Sequence, residues 1–239
     1  FGDAVRVALA CGRMNFAHPA DEASYSESAG TLVVTAGSNT VTASRAAEGQ
    51  TSTLTFSSLS RSAGAIDFAG EGLGTDARNQ IRFTTPPALA NAVIGPWATI
   101  NGSGLAGYDD ALGVVLFTAY TNIFALGPST LYDNAAQNAS INDVGTGGGI
   151  TLASDVIRLN SLSQNTATPS TVTTAGKTMR AAFVQVSPGM ASLTLGAAPE
   201  DGVLTALGEG GELDLINKGT GTLTVNAALP DNVTASSLV

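Results

Sequence analysis

The residues able to do chemistry are few in this chain of 239, and they are scattered. Cleaving a polysaccharide takes two carboxyl groups, or an acid and a base, facing one another across a groove. Asp109-Asp110, Glu200-Asp201 and Glu209 with Glu212 are the candidate pairs. Neighbouring residues of a strand point to opposite faces, so the doublets suit turns better than a catalytic pair. A Ser-His-Asp triad would have to use His18, the one histidine, which stands beside Pro19 in a polar stretch expected to face solvent; no Gly-x-Ser-x-Gly elbow accompanies it. Cys11 is the single cysteine, so it forms neither an internal disulfide nor a Cys/His metal cluster, and it is expected to pack inward at the end of the run 5–11.

Binding chemistry is equally sparse. Asp109, Asp110 and Asp143 offer the hard oxygen ligands that Ca2+ takes, but the repeated Gly-Gly-x-Gly-x-Asp code of calcium β-rolls is missing. The runs Gly70-Glu71-Gly72-Leu73-Gly74 and 145–149 lack the Lys-Ser/Thr pair of a phosphate loop and read as turns. Trp97, Tyr108 and Tyr120 would stack on sugar rings if they lined one exposed face; isolated aromatics of a β protein also serve as core. Asn101-Gly102-Ser103, Asn138-Ala139-Ser140 and Asn232-Val233-Thr234 match the glycosylation sequon. From sequence, no catalytic, cofactor or metal residue is assigned.

The elements that would position these residues are strands. An apolar-polar-apolar unit bounded by Gly, Ser, Thr, Asn or Asp recurs at Leu54/Phe56, Ile66/Phe68, Ile81/Phe83, Leu193/Leu195, Leu213/Leu215 and Leu223/Val225. Residues two apart share a strand face, so each unit buries one face and wets the other. Strands are expected at 5–9, 13–16, 31–35, 40–44, 52–57, 65–69 and 80–85, with a polar stretch at 21–30. Thr85-Pro86-Pro87 breaks the ladder. Extended segments follow at 93–100 and 113–120, then an irregular Asn/Ala/Gly-rich stretch at 122–149, then strands near 151–152, 156–159, 181–186, 191–195, 202–206, 211–216 and 221–225. The Leu193 and Leu213 pairs stand twenty residues apart, about one solenoid coil. The expected fold is all-β, a right-handed parallel β-helix or solenoid, with antiparallel β-sandwich domains as the alternative. The expected division is a β-repeat region at 1–121, an insertion or linker at 122–149 and a second β-repeat region at 150–239, as one continuous solenoid.

Composition narrows the function. Ten Lys and Arg stand against nineteen Asp and Glu, a formal charge of −9, and the basic residues never cluster, which argues against nucleic acid as a partner. Apolar residues make up 44% of the chain, enough for a core, while charged ones make up only 12%, so Ser, Thr, Asn and backbone must carry much of the solvation. No run approaches the ~20 apolar residues of a membrane span, and no export signal opens the sequence.

The run 25–42, from Tyr25-Ser26-Glu27-Ser28 to Asn39-Thr40-Val41-Thr42, resembles the autotransporter-associated β-strand repeats of large bacterial surface proteins, as in Planctomycetes and Verrucomicrobia. Thr53-Leu54-Thr55-Phe56-Ser57-Ser58-Leu59 resembles the next coil, and Ile81-Arg82-Phe83-Thr84-Thr85-Pro86 followed by Val93-Ile94-Gly95-Pro96-Trp97 continues the order, over residues 20–225. The resemblance implies a fragment of a secreted or surface-displayed solenoid whose export signal and anchor lie outside this segment. It carries no catalytic residues. The expected function is therefore non-enzymatic: a structural module of an extracellular bacterial surface protein, as stalk, filament or surface layer. A glycan-binding adhesin and a polysaccharide-degrading β-helix enzyme are the alternatives. The expected partners are further coils of the same polypeptide or end-to-end copies, since no end cap is evident, and surface glycans.

Overall fold

In the computed structural model, residues 4–18, 20–21, 23–102 and 104–238 are described, and the chain divides into two compact units, Phe1–Thr118 and Ala119–Val239. Among the described residues there is no helix; both units are parallel β-solenoids.

In Phe1–Thr118 each coil is three strands. The first holds β1 (Val7–Ala10), β2 (Arg13–Ala17) and β3 (Ser24–Ala29); the second holds β4 (Leu32–Ala36), β5 (Ser38–Ser44) and β6 (Thr51–Phe56); the third holds β7 (Leu59–Arg61), β8 (Ala65–Ala69) and β9 (Asn79–Phe83). Like strands stack in parallel, β1-β4-β7, β2-β5-β8 and β3-β6-β9. The coil is 27 residues, except that β1 stacks on β4 at 25 to 26: Arg13 faces Thr40, Val33 faces Ser60 and Ser52 faces Asn79, and the Thr31–Ser58 hydroxyl bond spans the same 27. Stacking follows from alternation, since an inward residue of one coil meets the inward residue of the next. Glu27-Leu54-Ile81 and Ala29-Phe56-Phe83 are in register, and Leu54, Phe56, Ile81 and Phe83 are all buried. The Phe56 and Phe83 rings stack at 5.9 Å. The stretch 21–30, expected to be merely polar, contributes β3, whose outward Ser24, Ser26 and Ser28 alternate with Tyr25, Glu27 and Ala29 on the inward face.

After β9 the pattern changes. β10 (Ala98–Ile100) adds in parallel to β8, and then β11 (Gly104–Asp109) and β12 (Gly113–Leu116) reverse direction as an antiparallel meander.

Unit Ala119–Val239 is built from β13 (Thr121–Phe124), β14 (Ser129–Leu131), β15 (Asn134–Asp143), β16 (Ile150–Leu152), β17 (Val156–Gln164), β18 (Ser170–Thr173), β19 (Thr178–Val186), β20 (Leu193–Leu195), β21 (Val203–Ala206), β22 (Glu212–Asn217), β23 (Leu223–Val225) and β24 (Ser237–Leu238). One sheet runs β14-β16-β18-β20-β23, the other β13-β15-β17-β19-β22-β24. The coil tightens to 22 residues, as in Val156 facing Thr178 and in the Gln185–Ser163 bond that also spans 22. Long strands turn a corner: the first half of β19 pairs with β21 and its second half with β22.

Three expectations are corrected. The antiparallel alternative gives way to parallel ladders, the β10–β12 meander apart. Residues 122–149 hold β13, β14 and β15, which hydropathy hid because β15 buries only its centre, Asn138 to Ile141. The twenty-residue spacing of Leu193 and Leu213 is not a coil: Leu193 stacks on Leu223, 30 residues on, while Leu213 pairs with Leu238 in the other sheet.

Candidate functional site

The β11–β12 hairpin closes the third coil of Phe1–Thr118. Tyr108 Oη accepts the Phe83 N–H at 3.0 Å and donates to the Phe83 C=O at 3.0 Å, occupying the free backbone edge of β9. Gln80 Nε2 donates to the Ala111 carbonyl at 2.7 Å, and Arg82 donates to the carbonyls of Ala111 (3.0 Å) and Asp110. Gly113 is required there: its φ is +78°, and a Cβ would run into the Ile81 carbonyl. An open edge invites another strand, and this one is covered. The expectation that no cap exists is thus corrected for this unit; the signal missed was a tyrosine in a Gly-flanked hairpin.

Buried amides stitch coil to coil. Asn39 is 3% exposed; its Oδ1 accepts the Gly12 N–H at 2.9 Å, and its Nδ2 donates to the carbonyls of Ala36 (2.9 Å) and Ala65 (3.1 Å), joining three coils at one corner. Asn79 Nδ2 likewise reaches the carbonyls of Ala43 and Glu71, both at 2.9 Å. In Ala119–Val239 a side-chain ladder crosses the coils. Ser187 Oγ donates to Asn165 Oδ1, Asn165 Nδ2 to Ser140 Oγ (2.5 Å), Ser140 Oγ to Asn142 Oδ1, and Asn142 Nδ2 to Asn122 Oδ1 (2.7 Å). Head-to-tail donors polarise one another, so such a chain strengthens with length. A second bond set joins Asn160 Nδ2 and Ser161 Oγ to Asn138 Oδ1, each at 2.7 Å.

The outward face of the β14-β16-β18-β20-β23 sheet is uncharged. Thr130, Thr151 and Thr173 stand in one register column, and Thr171, Thr194 and Thr224 in another. Their inward neighbours Ile150, Val172 and Leu195 are fully buried. Charge is concentrated elsewhere. Asp133 takes a bidentate bridge from Arg158 (2.9 and 2.7 Å), whose guanidinium holds the carboxyl down at about 2. The Asp76 carboxyl is lowered in the same way by Arg78, at one side of a polar cleft of about 380 Å³ that Arg45, Glu48 and Glu71 also line.

The residues singled out from sequence are dispersed. Trp97 is half-buried, with the Arg61 guanidinium 5.3 Å from its ring centroid. Tyr108 is half-buried in the cap, its ring 5.9 Å from Phe83, and Tyr120, also half-buried, belongs to the other unit. Asp109 accepts the N–H groups of Ala111 and Leu112 as a turn residue, and Asp201 accepts Ala197 N–H at 2.8 Å. Asp110, Asp143, Glu200 and Glu209 are exposed and Glu212 half-buried; among the described residues no three His, Cys, Asp or Glu side chains gather as a metal site. Gly145, Gly147, Gly148 and Gly149 all have positive φ, as turns require. Asn138 and Asn232 are buried, which leaves Asn101 as the exposed sequon asparagine, with Ser103 outside the described residues.

Two expectations are reversed. His18 is 5% exposed rather than solvent-facing, its ring edge-on to Tyr25 at 5.8 Å, because the β2 ladder continues through His18 N–H to Ser44 C=O. Cys11 is exposed rather than inward: with φ of +56° it sits at the turn after β1, beside Gly37.

Fold and site together define an all-β parallel solenoid whose polar chemistry runs between coils. The chain is similar to the Adhesin BmaC autotransporter of Brucella suis biovar 1 (strain 1330), with 30% identity over 223 residues, 89% of this chain. It spans 6% of that protein's length. No protein-family model and no solved structure matches the chain. Parallel coils and this likeness fit an autotransporter-associated β-repeat.

Proposed function

We propose that this chain is a structural, non-catalytic segment of an extracellular bacterial surface protein, serving as stalk, filament or surface-layer material. The observation that carries the reading is coil-to-coil register: apolar columns, asparagine staples and the Ser/Asn ladder all bond one coil to the next. Nearest-neighbour coupling of this kind makes stability a sum over coil interfaces, so pulling or proteolysis must break many bonds together. Likeness to an autotransporter adhesin supports a cell-surface or extracellular location. Further coils of the same polypeptide, or a second copy, are the partners that would pair the remaining edges of β1, β2 and β3.

A second reading is a glycan-binding adhesin. It is favoured by the description of the relative as an adhesin and by the uncharged threonine face, which offers hydroxyls and methyls without a desolvation cost for charge.

The test uses the natively produced full-length protein. Antibodies against this segment should label intact cells, and the double variant Asp109→Asn/Asp201→Asn should leave labelling and protease resistance unchanged. Labelling only after permeabilisation would refute the surface role. Retention of wild-type protein on a glycan array, lost in Thr194→Asp, would favour the adhesin reading.

A further inference from the structure

Asn101-Gly102 forms the turn from β10 to β11, with both residues at positive φ, +51° and +64°. Around this turn three hydrogen bonds converge. Gly102 N–H donates to Asp67 Oδ1 at 2.7 Å, Gly70 N–H donates to Asn101 Oδ1 at 2.8 Å, and Thr99 Oγ1 holds the same Asp67 oxygen at 2.8 Å. Nothing lies within 4 Å of where a Gly102 Cβ would stand. Asn101 itself is exposed to water.

These are the parts of an acyl transfer. Closing an Asn-Gly pair into a cyclic imide requires the glycine nitrogen to lose its proton and attack the amide carbon, with negative charge building on the amide oxygen. A base on the nitrogen and a donor on the oxygen lower that barrier. We propose that Asn101-Gly102 is a self-modification site, with Asp67 as the base and Gly70 N–H as the oxyanion donor. Gly102 N bonds to Asn101 Cγ, the Gly102 proton passes to Asp67 and on to the departing amide nitrogen, and the Cγ–Nδ2 bond breaks to release ammonia. Water then opens the imide at either carbonyl, giving aspartate or isoaspartate; no oxidant, reductant or cofactor is consumed. Isoaspartate inserts a methylene into the backbone at the start of the hairpin that caps β9, so the reaction loosens the cap as the protein ages. The inference is independent of the proposed surface role.

The experiment incubates the purified folded chain and an unfolded synthetic peptide of its residues 97–107 at pH 7.5 and 37 °C, with the amide-to-acid mass gain and isoaspartate followed by peptide mapping. A positioned base contributes about 10²-fold or more, so the folded chain is expected to convert at Asn101 at least ~10-fold faster than the peptide, and Asp67→Asn to remove most of that excess. A folded rate at or below the peptide's would overturn the proposal, because the same hydrogen bonds would then be clamping the turn. A fast folded rate unchanged in Asp67→Asn would also overturn it. The folded-against-peptide comparison needs no variant, so it decides the matter even if Asp67→Asn fails to fold.

Discussion

Replacing Tyr108 by Phe removes one oxygen and keeps the ring, which isolates the cap's hydrogen bonds from its packing. That oxygen serves both the N–H and the C=O of Phe83, each at 3.0 Å, and Phe83 is only 4% exposed, so water cannot take its place without opening the hairpin. Each lost neutral bond costs about 1 kcal/mol net, and stranding a buried partner about 1–3 kcal/mol. Tyr108→Phe should therefore destabilise Phe1–Thr118 by about 2–4 kcal/mol. Trp97 is the only tryptophan in the chain and lies in this unit, so its emission during urea unfolding of the full chain reports the unit containing the cap. With slopes of about 1–3 kcal/mol per molar urea, the midpoint should fall by about 0.7–4 M. Tyr25→Phe is the control, since Tyr25 is held by ring contacts with Phe16 and His18. A Tyr108→Phe midpoint indistinguishable from the control's would refute the capping argument.

Further outcomes follow from the ladders, turns and bridges. Asn165→Ala breaks two links of the Ser/Asn ladder and should cost about 2 kcal/mol, read as faster amide exchange in β15, β17 and β19, whereas Asn122→Ala at the ladder's exposed end should cost under ~0.5 kcal/mol. Gly64→Ala combines a left-handed residue with a Cβ 2.6 Å from Gly37 O and should cost about 3 kcal/mol; Gly176→Ala has open space and should cost only about 1, both by urea midpoint. Asp133 should titrate by carbon NMR near its depressed value of about 2 rather than the ordinary ~3.9. Because the folded value is the lower one, the bridge's contribution is present above ~4 and lost as pH falls to about 2, and Arg158→Gln should restore an ordinary midpoint.

Much of the architecture was legible because alternation is a local property. Leu54/Phe56 and Ile81/Phe83 announce inward faces without reference to any other coil, and β6 and β9 stand where they point. Register was not legible, because coil length depends on what each corner holds: 27 residues where Asn39 staples the turn, 22 where β17 runs through its corner, 30 where both β21 and β22, stacked on β19, stand between β20 and β23. β15 was missed because asparagine and serine fill interior positions when a neighbouring coil supplies their partners, as Asn160 does for Asn138. What the candidate aromatics touch was not legible. Tyr108 found a backbone edge and Trp97 an arginine, contacts between segments that spacing along the chain does not encode.

The proposed role is that of structural solenoid within a longer surface protein. Cryo-electron microscopy of the natively produced full-length protein tests it most directly. The expected density shows strands repeating at ~4.8 Å from coil to coil within each of the two units, and on from the β1, β2 and β3 edges into coils of the same polypeptide or of a second copy. A segment flanked on both sides by unrelated globular folds, with its first-coil edges open to solvent, would contradict it.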